Sequence, residues 1–360
     1  MISERTHYYV KAGKCDEVLA TRRRACEVRV SIGLPAGTIR VKADPAFDGP
    51  DVSWHCDFAD KAAHDADLKA RKQSPEFEAV RKVMTSLIER FERLCEERVA
   101  GSHGWAGDIA LDGIAIVPEE HEYVSGNFRL KGYLYRPPGS GPFPCMIYNH
   151  GSTVDQGSGE ITHPGPAAAL MSWGIACFCP NRHGYGNSPG PGWRSECSAP
   201  TFSPEYNRQI IERLDREAAD VVAAYNYLKG VPGIAPDRIG VMGSSFGGTT
   251  TLYAAAKEPG FRCAVEFAGA AMNWDRNPEL AAHMIAAAKR IQSPIFYIQT
   301  ANDYSIRPTQ EIVAALPKSD KVLSRIFPAF GATNWEGHLL AKLGPMVWGP
   351  DVRRFLEKFL

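Results

Sequence analysis

The residues with the clearest capacity for chemistry lie in Gly243-Ser244-Ser245-Phe246-Gly247. Ile239, Val241 and Met242 before them form an apolar run suited to a buried strand, and the Ala-rich stretch from Thr249 to Lys257 suits a helix. Strand, sharp turn and helix start is the setting in which Gly-x-Ser-x-Gly spacing has meaning. The central residue of such a turn takes a strained backbone, and the positions two before and two after must lack side chains where strand and helix cross. Ser245 would then project its hydroxyl from the carboxyl edge of a sheet. The amide of Phe246, at a helix N-terminus, would face developing negative charge. Ser244 is the poorer choice, because Met242 stands where a glycine is required. With 33 glycines in the chain the spacing alone is weak evidence, so the neighbours decide.

A serine hydroxyl is a weak nucleophile at neutral pH. It needs a base to take its proton and a third group to orient that base. Both occur further along the chain: Asp303 just after an apolar strand reading from Ile295 to Thr300, and then His338. Glu336 and Asp320 are the other acids in reach of that role. The chemistry such a set performs is acyl transfer through an acyl-serine.

From residue 118 onward strands and helices alternate. A hairpin Tyr123 to Tyr135 turns at Ser125-Gly126-Asn127, and strand Cys145 to Tyr148, helix Pro166 to Trp173 and strand Ile175 to Cys179 come next. A long helix, Glu205 to Lys229, carries Ile210, Leu214, Val221 and Leu228 along one side. After the Ser245 turn come strand Cys263 to Phe267, helix Pro278 to Arg290, strands Ile295 to Thr300 and Val322 to Phe327, and helix Pro350 to Leu360. This alternation predicts an α/β domain, 118–360, built on a doubly wound, mainly parallel sheet. Residues 100–117 are glycine-rich and read as a linker.

Residues 1–99 read as a separate small α+β domain. Thr6 to Val10 is β-prone, Asp16 to Arg29 helical, and Ile39, Val41 and Ala43, then Val52, Trp54, Cys56 and Phe58, alternate with polar residues as in half-buried strands. From Pro75, the residues Phe77, Val80, Met84, Leu87, Ile88, Phe91 and Leu94 recur at helical spacing and predict one long amphipathic helix. No fourth strand is evident before the linker.

Gly243-x-Ser245-x-Gly247, Asp303 and His338, with His150-Gly151 upstream, resemble the α/β-hydrolase superfamily, most closely the dienelactone-hydrolase-like serine esterases, over residues 118–360. The resemblance implies roles for several further residues. His150-Gly151-Ser152 is similar to a loop whose amide points at the reacting oxygen, so Ser152 and Phe246 would form the oxyanion hole, with His150 anchoring the loop. Asp303-Tyr304-Ser305-Ile306-Arg307-Pro308 resembles the turn that carries the acid, and Arg182-His183-Gly184-Tyr185-Gly186-Asn187-Ser188 is similar to the turn after the fourth strand. By the same resemblance His150, Tyr185 and Trp274 are the expected substrate-binding neighbours, and short loops around Trp193 and Trp274 would roof a small pocket. Dienelactone hydrolase itself has cysteine at the elbow, so lactone specificity is not implied. Serine points to a carboxylesterase acting on small-molecule esters with compact acyl groups. Prolyl-oligopeptidase-like serine peptidases or amidases share the turn, but residues 1–99 leave no room for their propeller. From another class, the chain would be a dimeric binding protein on an inactive hydrolase scaffold.

The order β-α-β-β-α, with Ser74-Pro75-Glu76-Phe77 opening the long helix, makes residues 1–99 resemble the ferredoxin-like dimeric α/β-barrel superfamily. That resemblance implies a homodimer paired through the sheet, with the Val52, Trp54, Cys56 and Phe58 face as the surface. A ligand pocket lined by His7, His55 and His64 is the other use such a domain has.

Composition sets the exclusions. Lys plus Arg and Asp plus Glu number 41 each, so no overall field draws in nucleic acid or an anionic membrane. The first residues carry charge where an apolar leader core would lie, and no stretch approaches the length of a membrane span, which reads as a cytoplasmic protein. Nine cysteines lie scattered without paired spacing, and Cys145, Cys177 and Cys179 read as small core residues. Ten histidines include no His-Glu-x-x-His. Neither a metal nor a cofactor is expected.

Overall fold

The computed structural model describes residues 2–42, 49–58, 60–97, 109–152 and 161–360. The chain forms two compact units, Met1–His103 and Gly104–Leu360. Ala43, Thr153 and much of the expected linker fall outside the described residues.

The first unit runs β1 (Ile2–Val10), α1 (Cys15–Ser31), β2 (Thr38–Val41), β3 (Val52–Phe58), α2 (Lys61–Gln73), α3 (Pro75–Leu87) and β4 (Ile88–Glu97). Its sheet has the order β2-β3-β1-β4, antiparallel throughout. The long helix expected from Pro75 therefore stops at Leu87, and Ile88 begins a fourth strand that the sequence concealed. Ile88, Phe91 and Leu94 fit a helical period, but pairing with β1 decides the conformation, as tertiary context commonly does for a charged edge strand.

Alternation along β1 puts Ile2, Glu4, Thr6 and Tyr8 under the helices and leaves Arg5 exposed and Ser3 and His7 half-buried on the other face. Val52, Trp54, Cys56 and Phe58 are packed with Val18 of α1 and with Met84 and Leu87 of α3. The apolar face proposed for pairing is thus covered within the unit, and the open face of the sheet is polar. His7 and His55 stand on that open face, whereas His64 is buried on the covered side, 2.8 Å from a Glu4 carboxylate oxygen. These three histidines share no pocket. Glu4, His64 and Cys95 bring their ligand atoms within 4.8 Å of one another. They fit a metal ion poorly, because the Glu4 carboxylate already accepts from the Arg71 guanidinium and lies 3.3 Å from that of Arg93.

The second unit runs β5 (Glu119–Ser125), β6 (Phe128–Tyr135), β7 (Phe143–Asn149), α4 (Pro164–Ser172), β8 (Ala176–Pro180), α5 (Trp193–Glu196), α6 (Pro204–Leu228), β9 (Ile234–Ser244), α7 (Phe246–Lys257) and β10 (Ala264–Phe267). A 3-10 turn (Trp274–Arg276), α8 (Pro278–Ala288), β11 (Ile295–Thr300), α9 (Arg307–Ala314), β12 (Val322–Phe327), α10 (Asn334–His338), α11 (Leu340–Leu343) and α12 (Pro345–Phe359) complete it. The eight strands lie in the order β12-β11-β10-β9-β7-β8-β6-β5, with β5 and β6 antiparallel to their neighbours and the rest parallel.

Both faces of this sheet are buried, which is why its strands read as continuous apolar runs. Ile147 and Val241 face Leu214, Val221 and Leu252 of α6 and α7, while Met146 and Met242 face Leu170, Trp348 and Phe355 of α4 and α12. β7 has β8 on one side and β9 on the other: from β7 the chain crosses to β8, and from β8 it crosses back past β7 to β9, so the strand order reverses here. A crevice at the carboxyl edge opens at such a switch point. Among the described residues no helix is long and apolar enough to cross a membrane.

Candidate active site

Ser245 stands at that crevice, between β9 and α7, with φ 59° and ψ −124°. This conformation is costly for any residue but glycine, and its neighbours hold it in place. The Ser245 amide donates to the Phe267 carbonyl at the end of β10, 2.8 Å away. The two flanking glycines are required by contact: a Cβ at Gly243 would lie 2.7 Å from Asn149 Cβ, and one at Gly247 would lie 2.6 Å from the Asn149 carbonyl carbon. Thr249 makes the first helical hydrogen bond, back to the Ser245 carbonyl. The amide of Phe246, in the first turn, is therefore one that the helix itself leaves unsatisfied.

Asp303 lies just beyond β11, and its side chain is fully buried. Its Oδ1 accepts from the Tyr304 amide at 2.7 Å, and Oδ2 from Gln299 Nε2 at 3.0 Å. Gln299 also donates to the Ser305 carbonyl at 2.9 Å, fixing the turn around the acid. His338 ends α10, whose N-terminus carries a reciprocal cap between Thr333 and Glu336. Gly337 lets that helix sit on the end of β11, since a Cβ there would lie 2.7 Å from Thr300 Oγ1.

The three side chains meet. His338 Nδ1–H donates to Asp303 Oδ1 at 2.8 Å, and Ser245 Oγ–H donates to His338 Nε2 at 2.7 Å. Ser245 is half-buried and so open to a reagent, while His338 is 2% exposed. The other acids are elsewhere employed: Glu336 caps α10, and Asp320 pairs with Lys358 on the surface.

The loop after β7 passes beside the serine. A Cβ on Gly151 would lie 3.6 Å from Ser245 Cβ, and Ser152, next in the chain, is exposed. Behind the loop lies a buried ionic frame. Arg182 donates to the His150 carbonyl at 2.8 Å and to Glu217 at 2.6 Å, and Glu217 also accepts from Arg213 at 2.6 Å. His150 donates through Nδ1–H to the Gly151 carbonyl at 2.7 Å. Burial first, and the Arg182 cation second, hold its imidazole well below its ordinary pKa, so it is neutral and anchors the loop.

His150, Tyr185 and Trp274, expected as substrate neighbours, are each no more than 3% exposed. Tyr185 packs edge-on to His150, between Arg182 and Arg213. The Trp274 indole N–H donates to Glu311 at 3.0 Å. The aromatic rings that do reach solvent beside the triad are Tyr304 and Trp335, 42% and 44% exposed, which sequence reasoning passed over. Gln299 was also missed, although a polar residue inside the apolar run of β11 was a visible signal.

One buried carboxyl adjoins the elbow without joining the triad. Glu266 of β10 accepts from the Gly269 amide, and burial, with the Asp303 charge adding to it, pushes its pKa up to about 8. The unfolded chain releases this proton near its ordinary value of 4.5. Between those limits the native state binds more protons, so this contribution to stability falls as pH rises. Glu266→Gln keeps the acceptor and removes the ionisation. Its stability relative to the parent should therefore rise between pH 5 and pH 9, by as much as ~4 kcal/mol. Denaturant melts of both proteins at the two pH values measure this, and a pH-independent difference would refute it.

A mainly parallel sheet of this order, with the serine turn after β9, the acid after β11 and the histidine after β12, is the α/β-hydrolase fold. Residues 174–325 match the family model described as the Dienelactone hydrolase family. The chain is similar to acyltransferase drtE of Aspergillus calidoustus, 29% identical over 148 residues that cover 41% of each protein. It is similar to the quorum-quenching protein AidA of Acinetobacter baumannii (strain MDR-ZJ06), 24% identical over 41% of this chain and 43% of that protein. The matches thus span about two fifths of these relatives' own length. Among solved structures, an esterase of Pyrococcus furiosus shares the fold at 17% identity, with a TM-score of 0.51 over 73% of this chain and 97% of that one. The family match supports a hydrolase.

Proposed function

We propose that this protein is a serine hydrolase of small carboxylic esters, working through an acyl-enzyme on Ser245. The observation that carries the reading is the chain of two hydrogen bonds from Ser245 Oγ through the His338 imidazole to Asp303, at 2.7 and 2.8 Å. As Ser245 Oγ attacks the ester carbon, its proton passes to His338 Nε2, and Asp303 holds the tautomer and offsets the imidazolium charge. The amides of Phe246 and Ser152 receive the carbonyl oxygen as it becomes an oxyanion. Collapse breaks the bond to the alcohol oxygen, which takes the proton from Nε2 and leaves. Water, deprotonated by the same imidazole, then releases the acid.

Similarity to a protein named an acyltransferase favours a second reading, in which an alcohol acceptor replaces water at the last step. Both readings share the acyl-serine. A fluorophosphonate probe tests that shared step: modification of Ser245, located by mass spectrometry, is expected, and a serine left unlabelled would leave only a binding role on an inactive scaffold. A panel of esters and amides, run with and without added alcohols, separates esterase, amidase and transferase by product.

A further inference from the structure

The alcohol half of an ester has a fixed address in this site. It must sit against His338 when Nε2 returns the proton to the leaving oxygen, so whatever flanks the imidazole touches the alcohol rather than the acid. Two aromatic rings do so, from different segments of the chain. The Tyr304 ring lies 5.6 Å from the His338 ring, centroid to centroid, at 78°, and the Trp335 indole lies 6.3 Å away at 29°. Their exposure sets them apart. Trp54, Trp173, Trp274 and Trp348 are all buried, and Trp335 alone among the described tryptophans is an exposed large hydrophobic. Neither the Trp335 indole nor the Tyr304 phenol makes a side-chain hydrogen bond within the described residues, so no internal polar contact explains their placement. Met272, 49% exposed, leaves the same sheet edge from β10, between the strands that carry Ser245 and Asp303. The other side of the serine differs. There, next in the chain to Ser245, the buried Phe246 is met edge-on by Trp193, ring centroids 4.8 Å apart.

We infer that Tyr304 and Trp335 form an aromatic slot for the alcohol half of the substrate, so that the preferred esters pair a flat aromatic alcohol with a compact acyl group. This rests on the serine-ester reading above. Stacking on an aromatic face favours a planar π-system over a saturated ring of similar bulk.

The test compares benzyl acetate with cyclohexylmethyl acetate, whose alcohols are close in acidity, so chemistry at the carbonyl is matched and the ring alone differs. The wild type is expected to favour the benzyl ester by about tenfold in kcat/KM, the scale of one aromatic contact. Trp335→Ala and Tyr304→Ala should each bring that ratio toward one, chiefly through KM for the benzyl ester, and Trp335→Phe should restore most of it. A wild-type ratio near one, or a ratio that survives both alanine variants, overturns the slot. Equal losses on both esters through kcat would likewise overturn it, since they would mean that the rings only position His338. Failure of the parent reading looks different: neither ester is hydrolysed and Ser245 resists the fluorophosphonate, and the slot falls with it.

Discussion

Ser245→Ala is expected to lower kcat by a factor of about 10⁶ while leaving the fold intact, the scale at which loss of a triad nucleophile is felt in serine hydrolases. The side-chain oxygen serves the site through its hydrogen bond to His338, and the strained backbone of residue 245 is held from outside by the Phe267 carbonyl. Alanine tolerates that backbone no worse than serine. What disappears is the covalent step, so the initial burst of alcohol release should vanish together with turnover. Stopped-flow and steady-state assays on one good ester read both. Full activity in the variant would remove Ser245 from the mechanism.

Asp303→Asn should cost about 10⁴ in kcat with the chain still folded. The two carboxylate oxygens accept from three N–H donors, on Tyr304, Gln299 and His338. An amide offers one acceptor oxygen, and its NH₂ must then face a donor. If it faces His338, the imidazole takes the other tautomer, Nε2 carries hydrogen, and the base for Ser245 is gone. If it faces Gln299, the turn that sets the acid loosens. Glu336→Gln is the matched control. That carboxylate accepts from the Ala332 and Thr333 amides and makes no hydrogen bond to a triad member, so its replacement by Gln should cost far less in rate than Asp303→Asn. If the two variants exchanged these effects, the acid would be misassigned.

The parts of the site that could be read from the chain were those defined by order and spacing. Gly243, Ser245 and Gly247 sit where strand and helix cross, and Asp303 and His338 follow β11 and β12 in chain order. β11 and β12 have the bounds the sequence suggested. Properties that arise only on packing were not legible. Trp274 and Trp335 look alike as loop aromatics, yet one is buried against Glu311 and the other lies open beside His338. Glu266 reads as a single charge in an apolar strand, and only its neighbours reveal a carboxyl that holds its proton. β4 was hidden for a related reason: an edge strand with charge along much of its length owes its form to β1 rather than to its own residues.

α10 has only five residues, far below the length at which a helix persists alone in water. Its form depends on the Thr333–Glu336 cap and on the seating of Gly337 against Asn302 and Thr300. Opening this segment exposes little apolar surface compared with opening the sheet, so it should require less free energy than global unfolding. Each opening carries His338 away from Ser245. On heating, then, catalytic activity should fade reversibly several degrees before far-ultraviolet circular dichroism reports loss of the strands, whereas coincident curves would mean that α10 is held as firmly as the core. On that expectation, the thermal ceiling on turnover would be set by the docking of one short helix, below the melting of the sheet.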